Sequence, residues 1–293
     1  MKAISAFTFA LLLFSFACNN DGNQGSSTGS ADTLVPSRDW KFGVALWTFH
    51  DLDLPHAIEK VDSAGLKYIE PNTFQRAGKE LNDSLILQLS PAGIERVKAM
   101  IAEKGLICES IYIVGDSTVA SWKSQFEIAQ RLGVKFVTTE PPLNLWDQID
   151  SLAGVYGVNV AIHDHWRGVS RYWSPDSVLA AIQNHPHFGA CADLGHWPKS
   201  GIDPVDGVRK LAGHIIGIHF KDIAAFDNPK LIDVQTGTGV VNFPGVFMEL
   251  KKQAFNGHIY IERDSIEPGG NLPSVRREID YYKQEVGKLE KRP

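Results

Sequence analysis

From Trp40 onward, short apolar runs rich in β-branched and aromatic residues alternate with longer amphipathic stretches. The short runs predict buried β-strands. Eight such runs occur along the chain, at residues 42–49, 68–74, 107–113, 135–142, 159–166, 188–197, 215–222 and 258–264. The stretches between them predict helices, because several begin with Ser or Asp followed by Pro or an acidic residue and several end at Gly.

Eight strand–helix repeats of this length predict an α/β protein with the (β/α)₈ TIM-barrel fold. A doubly wound open sheet more often has five or six strands and a glycine-rich first turn, and no GxGxxG or P-loop pattern follows any of the runs. We therefore predict a single barrel domain at residues 40–293. The carboxyl ends of its strands are then expected to meet at one mouth, where active sites form in this fold.

The amino-terminal segment has a different pattern and is predicted to lie outside the barrel. Lys2 is followed by an apolar run that is short for a membrane span and typical of a secretory signal. The run ends in Ala17 and Cys18, an order that resembles a bacterial lipoprotein signal. This resemblance implies a signal peptide at 1–18 with Cys18 as the lipidation site, and a flexible Gly/Ser/Asn-rich linker follows at 19–39.

The amino-terminal pattern also predicts where the protein resides. We expect an exported protein that is lipid-anchored to a bacterial membrane, on its periplasmic or cell-surface face. The alternative is plain secretion, with cleavage near the same position.

Composition narrows the classes of partner. Hydrophobic residues make up 43% of the chain and charged residues 22%, as in ordinary globular proteins. The net charge is -5 and no dense Lys/Arg run occurs, so nucleic acid is not expected as a partner. Cys108 and Cys191 lie in different predicted strands, which favours free thiols over a disulfide bond.

Titratable residues are concentrated near the carboxyl ends of the predicted strands. Burying this many charges is costly unless they are paired or bound to a cation, so the pattern predicts a divalent metal ion. The residues are Glu70, Glu109, Glu140, His163, Asp164, His165, Asp193, His196, His219, Lys221, Asp222, Glu262 and Asp264.

A mixed set of imidazoles and carboxylates suits Mn, Co, Zn or Fe better than Ca or Mg. The absence of cysteine from the set argues against a structural zinc site. We predict four ligands, one from each of the last four strands: His163, Asp193, His219 and Glu262.

Four short motifs resemble the xylose isomerase-like TIM-barrel superfamily, which includes sugar isomerases and epimerases and the relatives of endonuclease IV. They are "DLGH" at 193–196, "IHFKD" at 218–222, "GTGVVNF" at 237–243 and "YIERD" at 260–264. The resemblance implies that Asp193 and Glu262 bind the metal, that His219 completes the set of ligands, and that His196 contacts the substrate.

The fifth strand departs from the family pattern. Ketose epimerases of the family usually place a glutamate there as ligand and acid/base, whereas this chain has "AIHDH" at 161–165. Because a metal-bound imidazole is a poor base, we consider Glu140, Glu262 and His165 as the catalytic groups. Pairing of His165 with Asp164, and of Lys221 with Asp222, is the structural alternative.

Aromatic residues near the predicted mouth indicate a carbohydrate ligand. Trp47, Trp166 and Trp197 lie at the ends of predicted strands one, five and six, where an indole face can stack on a sugar ring. We predict that these residues bind substrate together with His196 and Lys221, although core packing is an equal alternative for each Trp. The absence of a phosphate-binding Gly-rich loop and the predicted export favour a non-phosphorylated sugar.

These observations predict a metal-dependent isomerase or epimerase that removes a proton from a non-phosphorylated sugar or keto-sugar to form an enediolate. A lyase or hydrolase acting on a keto-glycoside at the same site is one alternative. A second is a hydrolase related to endonuclease IV, although that group has histidines on strands two and three, where this chain has Glu70 and Glu109. A third is a carbohydrate-binding lipoprotein without turnover.

Overall fold

The computed structural model describes residues 39–291. The predicted signal peptide, the predicted lipidation site Cys18 and nearly all of the predicted linker lie outside this range. Within residues 39–291, no helix has the length and apolar character needed to cross a membrane.

All eight predicted strands are present, and they form one parallel barrel. The barrel strands are β1 (Lys41–Ala45), β2 (Tyr68–Glu70), β3 (Ile107–Cys108), β4 (Ser110–Tyr112), β5 (Phe136–Thr139), β6 (Asn159–His163), β7 (Phe188–Asp193), β8 (Ile215–Phe220) and β11 (His258–Ile261). Their order is β3-β2-β1-β11-β8-β7-β6-β5-β4. Segments β3 and β4 are two parts of the predicted third strand, on either side of Glu109. Because they form the two edges of the sheet, these edges meet at this strand. The predicted (β/α)₈ TIM barrel is thereby confirmed.

Helices follow the strands as the sequence predicts. They are α1 (Leu54–Ala64), α2 (Pro91–Glu103), α3 (Val119–Leu132), α4 (Trp146–Tyr156), α5 (Pro175–Ile182), α6 (His196–Lys199), α7 (Pro204–Lys210), α8 (Phe243–Lys252) and α9 (Leu272–Glu290). Six of these helices have a side-chain cap in the first turn; for example, the Ser90 hydroxyl accepts a hydrogen bond from the Gly93 backbone at 3.3 Å. Helix α6 is not among the predicted elements, because the sixth predicted strand extends to residue 197 whereas β7 ends at Asp193.

The barrel interior is filled, so ligands have access at the ends of the strands and not along an open channel. A buried cluster inside the barrel is formed by Ala45, Phe136, Ala161, Cys191 and Tyr260. A larger apolar core lies between the strands and the surrounding helices. Cys191 is buried and Cys108 is half-buried, and both are free thiols in the structure.

Glu109 belongs to the opposite end of the barrel from the other strand-end charges. Its carboxylate lies 2.8 Å from Nε2 of His258, the first residue of β11, and 2.5 Å from Nζ of Lys135, which directly precedes β5. Glu109 therefore lies at the amino-terminal end of the barrel. The sequence interpretation that grouped Glu109 with the mouth is wrong, because the third strand breaks at this residue and continues for three more residues.

A buried charge cluster fixes the segment that follows β11. The short antiparallel hairpin of β9 (Asp222–Ile223) and β10 (Asp233–Val234) brings Asp233 to 2.9 Å from Nε of Arg263. The Arg263 guanidinium also lies 3.4 Å from Glu278 of α9. Burial raises the pKa of Glu278 to about 8, although Arg263 opposes the shift. Asp233 also accepts the backbone N–H of Asp264 at 2.9 Å, which positions Asp264 at the mouth.

Candidate functional site

The four predicted ligands meet at the carboxyl end of the barrel. His163 and Asp193 are the last residues of β6 and β7, His219 lies near the end of β8 and pairs in register with Asp193, and Glu262 follows β11. One ligand atom from each residue lies within 4.8 Å of the others. The His163 Nε2 to His219 Nδ1 distance is 3.1 Å, and His163 Nε2 lies 3.6 Å from Asp193 Oδ2. Glu262 Oε2 contacts His219 Nδ1.

Local backbone contacts orient Asp193. Its Oδ1 accepts the backbone N–H of Gly195 at 2.8 Å and that of His196 at 3.0 Å. This turn is a direct product of the sequence "DLGH", in which an Asp bonds to backbone groups two and three residues later. The second oxygen, Oδ2, is consequently left facing His163 and His219.

A carboxylate behind His219 sets the tautomer of its ring. The Nε2 atom of His219 lies 2.9 Å from Glu70 Oε1, and the other Glu70 oxygen accepts the Thr138 hydroxyl at 2.6 Å. Because a carboxylate can only accept, Nε2 donates to Glu70, and Nδ1 is the ring atom that faces the other ligands. A carboxylate behind a ligating imidazole is the usual arrangement in metal sites.

The protonation states of the ligands suit a cation. Burial lowers the pKa of His163 to about 4, so its ring is neutral and has a free lone pair. Burial alone would raise the pKa of Glu262, but His219 and Lys221 lower it to about 2. The buried atoms Asp193 Oδ2 and Glu262 Oε2 accept no hydrogen bond among the described residues, and their contacts are ion pairs with Lys221 and close approaches to the imidazoles. Buried carboxylate oxygens beside two imidazoles fit a divalent metal that prefers mixed nitrogen and oxygen ligands.

Lys221 lies behind the ligands, and its side chain is fully buried. Its ammonium is 3.0 Å from Asp193 Oδ2, 3.0 Å from Asp264 Oδ1 and 3.7 Å from Glu262 Oε2. Burial alone would lower the pKa of Lys221, but these carboxylates raise it well above its usual value. Gly195 makes this burial possible, because a Cβ there would lie 2.6 Å from the Lys221 side chain. Lys221 does not pair with Asp222, which instead accepts backbone N–H groups from 223, 237, 239 and 241.

A cavity of about 440 Å³ opens in front of the ligands. Its wall includes His163, His219 and Glu262, and one side is formed by the exposed loop at 229–232. The aromatic side chains in the wall are those of Trp47, Phe74, Tyr112 and Trp166. A pocket with aromatic walls and a few convergent polar groups is typical of small-molecule sites.

His165 is in the cavity wall, and its partner is Glu140 and not Asp164. Nδ1 of His165 lies 2.5 Å from Glu140 Oε1, and the Ser170 hydroxyl donates to the other Glu140 oxygen. Burial alone would raise the pKa of Glu140, but the hydrogen bond from His165 and its charge lower it. Glu140 is therefore ionised behind His165 and is not part of the cavity wall. Because Nδ1 is engaged, Nε2 of His165 is the ring atom left for a ligand.

The remaining predicted substrate contacts separate into two groups. His196, Trp47 and Trp166 lie in the cavity wall. His196 donates from Nδ1 to the Asp164 carbonyl at 2.8 Å, which fixes its ring. Trp197 and Lys221 are fully buried and outside the wall. Trp197 packs in the core, where a Cβ on Gly207 would lie 2.6 Å from its ring.

Some residues of the site were not predicted. The sequence marks Glu70 as a strand-end carboxylate, but its contact with His219 spans the barrel and has no local sequence signal. Asn72 and Phe74 line the cavity from the loop after β2, which the sequence interpretation had included in a strand.

Fold and site together define a class: (β/α)₈ barrel proteins with four candidate metal ligands at the mouth and an aromatic cavity beside them. Residues 58–285 match the family described as Xylose isomerase-like TIM barrel, and the chain belongs to this family. The predicted family resemblance is thereby confirmed. No curated protein matches this chain.

Several solved structures are similar to this chain. An uncharacterized protein from Parabacteroides distasonis is 32% identical with a TM-score of 0.67, and the match covers 84% of this chain and 99% of that chain. A D-tagatose 3-epimerase-like protein is 19% identical with a TM-score of 0.68, covering 85% and 98%. The IOLI protein, solved with a bound zinc atom, is 16% identical with a TM-score of 0.70, also covering 85% and 98%. The last two likenesses are likenesses of fold.

Proposed function

We propose that the protein is a metal-dependent isomerase or epimerase that acts on a non-phosphorylated sugar or keto-sugar by proton abstraction. The single observation that carries this proposal is the position of His165. It lies in the same cavity wall as three of the four candidate metal ligands, and an ionised Glu140 supports its ring. The epimerase-like and zinc-containing relatives support the same class of chemistry.

The candidate ligands His163, Asp193, His219 and Glu262 would hold Mn, Co, Zn or Fe. Such a cation supplies Lewis acidity, which makes a carbon next to a sugar carbonyl more acidic. The neutral ring of His163 provides one nitrogen ligand without a cost for deprotonation, and Glu70 orients the ring of His219 as the second. Burial alone would lower the pKa of His219, but Cys191 and Glu262 raise it well above its usual value, so a cation would displace a proton from this ring. The two carboxylates offset the charge of the cation.

His165 is placed to take the proton. Its Nδ1–H donates to Glu140, so Nε2 is a free base, and the Glu140 carboxylate stabilises the imidazolium that forms. Glu262 is the second group that can accept a proton, but a pKa of about 2 makes it a much weaker base. Glu140 acts through His165. The His165 ring thereby takes the place of the glutamate base that ketose epimerases of the family usually have on the fifth strand.

The cavity suits an uncharged sugar ring. Trp166 and Trp47 present aromatic surface, and the Lys199 ammonium lies 4.1 Å from the centre of the Trp166 ring. Glu70, Glu262 and Asp264 line the wall together with Lys199 and Lys230. The carboxylates can accept hydrogen bonds from sugar hydroxyls.

Proton exchange tests this proposal. The protein loaded with Mn, Co, Zn or Fe is incubated in deuterated water with free and 3-keto sugars, and deuterium incorporation is measured by NMR. We expect exchange by the loaded protein, no bound metal by elemental analysis in Asp193→Ala, and exchange slowed about 10²–10⁴-fold in His165→Gln with metal retained. Metal and sugar binding without exchange would instead support the binding protein without turnover.

A keto-glycoside lyase is the second candidate, and one observation favours it. The two proton-transfer groups are unequal, since His165 is a supported imidazole whereas Glu262 has a pKa of about 2. Epimerisation needs a second group that returns the proton on the other face, whereas elimination of a β-substituent needs one base to begin. The two reactions are separated by incubating the protein with a 3-keto-glycoside and measuring the released leaving group by chromatography. Elimination releases this group, whereas epimerisation does not.

We also propose that the protein is exported and lipid-anchored through Cys18. The support is the amino-terminal sequence order alone, an apolar run that ends in Ala17 and Cys18 before a polar segment. Metabolic labelling with a radioactive fatty acid tests it. The full chain should be labelled and the Cys18→Ser variant should not, and labelling of both would contradict the assignment.

A further inference from the structure

A second cavity of about 600 Å³ adjoins the one in front of the metal ligands. Both cavities are lined by Trp47, Asn72 and Phe74, so these three side chains form their common boundary. The second cavity lies between the segment after β1 and the loop after β2, and it is lined by residues of 47–56 and 72–85. A ligand bound beside the metal ligands can therefore extend past Trp47 into further space.

Two buried amides in the second cavity have unused hydrogen-bonding groups. Gln75 is 6% exposed and Asn72 is 4% exposed. Neither Gln75 Nε2 nor Gln75 Oε1 has a partner among the described residues, and the same holds for Asn72 Oδ1. Leaving such groups unpaired costs free energy, which a ligand with hydroxyl groups recovers on binding.

Backbone hydrogen bonds fix the loop that carries these amides. The Gln75 N–H donates to the Asn72 carbonyl at 3.1 Å, and the Ile86 N–H donates to the Gln75 carbonyl at 3.0 Å. Thr73 donates to the Tyr112 carbonyl at 2.9 Å at the end of β4, which attaches the loop to the barrel. The loop backbone that carries the two amides is thus arranged before a ligand arrives, a property that favours binding.

The charges and the aromatic boundary indicate a neutral ring. Asp51, Asp53 and Asp83 line the second cavity, whereas Arg76 is its only lining Lys or Arg residue. This balance disfavours phosphate or uronate groups. The Trp47 indole stacks on His50 with ring centres 4.4 Å apart, so its orientation is fixed where a sugar face can contact it.

We propose that the second cavity is a subsite for a second, uncharged sugar ring, so that the substrate is a disaccharide or a longer glycoside. Its reacting ring lies beside the metal ligands, and the next ring lies over Trp47 with its hydroxyls on Asn72 and Gln75. This assignment of substrate class rests on the proposed sugar chemistry of the first cavity.

Calorimetry and proton exchange test the subsite separately from the chemistry. Metal-loaded protein is titrated with the methyl α- and β-glucosides and with trehalose, maltose and cellobiose, and the 3-keto forms of the same sugars are used for exchange. We expect at least one disaccharide to bind about tenfold more tightly than the matching methyl glucoside. Gln75→Leu, which keeps the volume and removes the amide, should abolish this preference. The exposed Lys79→Ala variant in the same loop should retain it.

The outcomes distinguish the subsite proposal from the proposed chemistry. A disaccharide preference that Gln75→Leu removes, without exchange by any sugar, supports the subsite and overturns the chemistry. Exchange at equal KM for methyl glucosides and disaccharides, unchanged in Gln75→Leu, overturns the subsite and supports the chemistry. If no disaccharide binds more tightly than its methyl glucoside, the subsite assignment is wrong.

Discussion

Replacing Lys221 with methionine tests whether the four ligands form a charge-balanced centre. Its buried ammonium is within 3.7 Å of three carboxylates, and two of these belong to candidate ligands. Removing one partner from a buried ion pair costs about 3–5 kcal/mol, because the remaining charges stay buried without compensation. For a domain of this size the loss corresponds to a fall in Tm on the order of 10 °C.

The assay is thermal unfolding of wild type and Lys221→Met, first in a chelator and then with saturating Mn or Zn. A bound cation would compensate Asp193 and Glu262 in place of the ammonium, so the metal should raise the Tm of the variant more than that of wild type. Lys210→Met is the matched control, since Lys210 pairs with Asp176 at 2.6 Å on the surface and its loss should cost at most about 1 kcal/mol. A deficit of Lys221→Met that is equal with and without metal would refute the shared centre.

Three further predictions concern single side chains. Glu70→Gln keeps the shape of the side chain but removes the charge that assists the hydrogen bond from His219. Calorimetry should therefore show that metal affinity falls by about tenfold or more, while the Tm in chelator is unchanged. Unchanged metal affinity would contradict the orienting role of Glu70. Gly195→Ala places a Cβ against Lys221 and should lower the free energy of unfolding in urea by about 1–3 kcal/mol, whereas an unaltered midpoint would show that the turn adjusts. The pKa of Glu278 in the folded protein, about 8, lies above its ordinary value of 4.5, so folding takes up a proton and its contribution to stability is lost as pH rises between these values. The free energy of unfolding of Glu278→Gln, measured in urea, should therefore increase relative to that of wild type between pH 5 and pH 8, by on the order of 3 kcal/mol. Parallel pH profiles of the two proteins would show that this carboxyl does not titrate in the range.

The sequence was sufficient to predict the barrel and the gathering of the four ligands. Strand periodicity located the strands, and in a closed parallel barrel all carboxyl ends lie at one mouth, so Asp193 and Glu262 are close although far apart in the chain. Their function as metal ligands stays a prediction.

Other features depended on distances and turns that the sequence pattern does not contain. The sequence pattern places Trp197 at the mouth because the predicted sixth strand continues past Asp193, but the chain turns into α6 there and directs this indole into the core. Glu140 was expected at the cavity, yet it supports His165 from behind, since a strand-end carboxylate can face either the ligand or a neighbouring side chain.

The four candidate ligands all come from the second half of the barrel, while the proposed second subsite is built from the segments after β1 and β2. Under the two proposals, the candidate ligands and the second sugar subsite are thus encoded in separate stretches of the polypeptide. Insertions or substitutions in the loops at 47–56 and 72–85, on either side of the strand that carries Glu70, are expected to change which glycoside is accepted while the chemical centre stays intact. Relatives with the same reaction are then expected to diverge mainly in these first two loops, and exchanging the loops between them offers a direct way to transfer specificity.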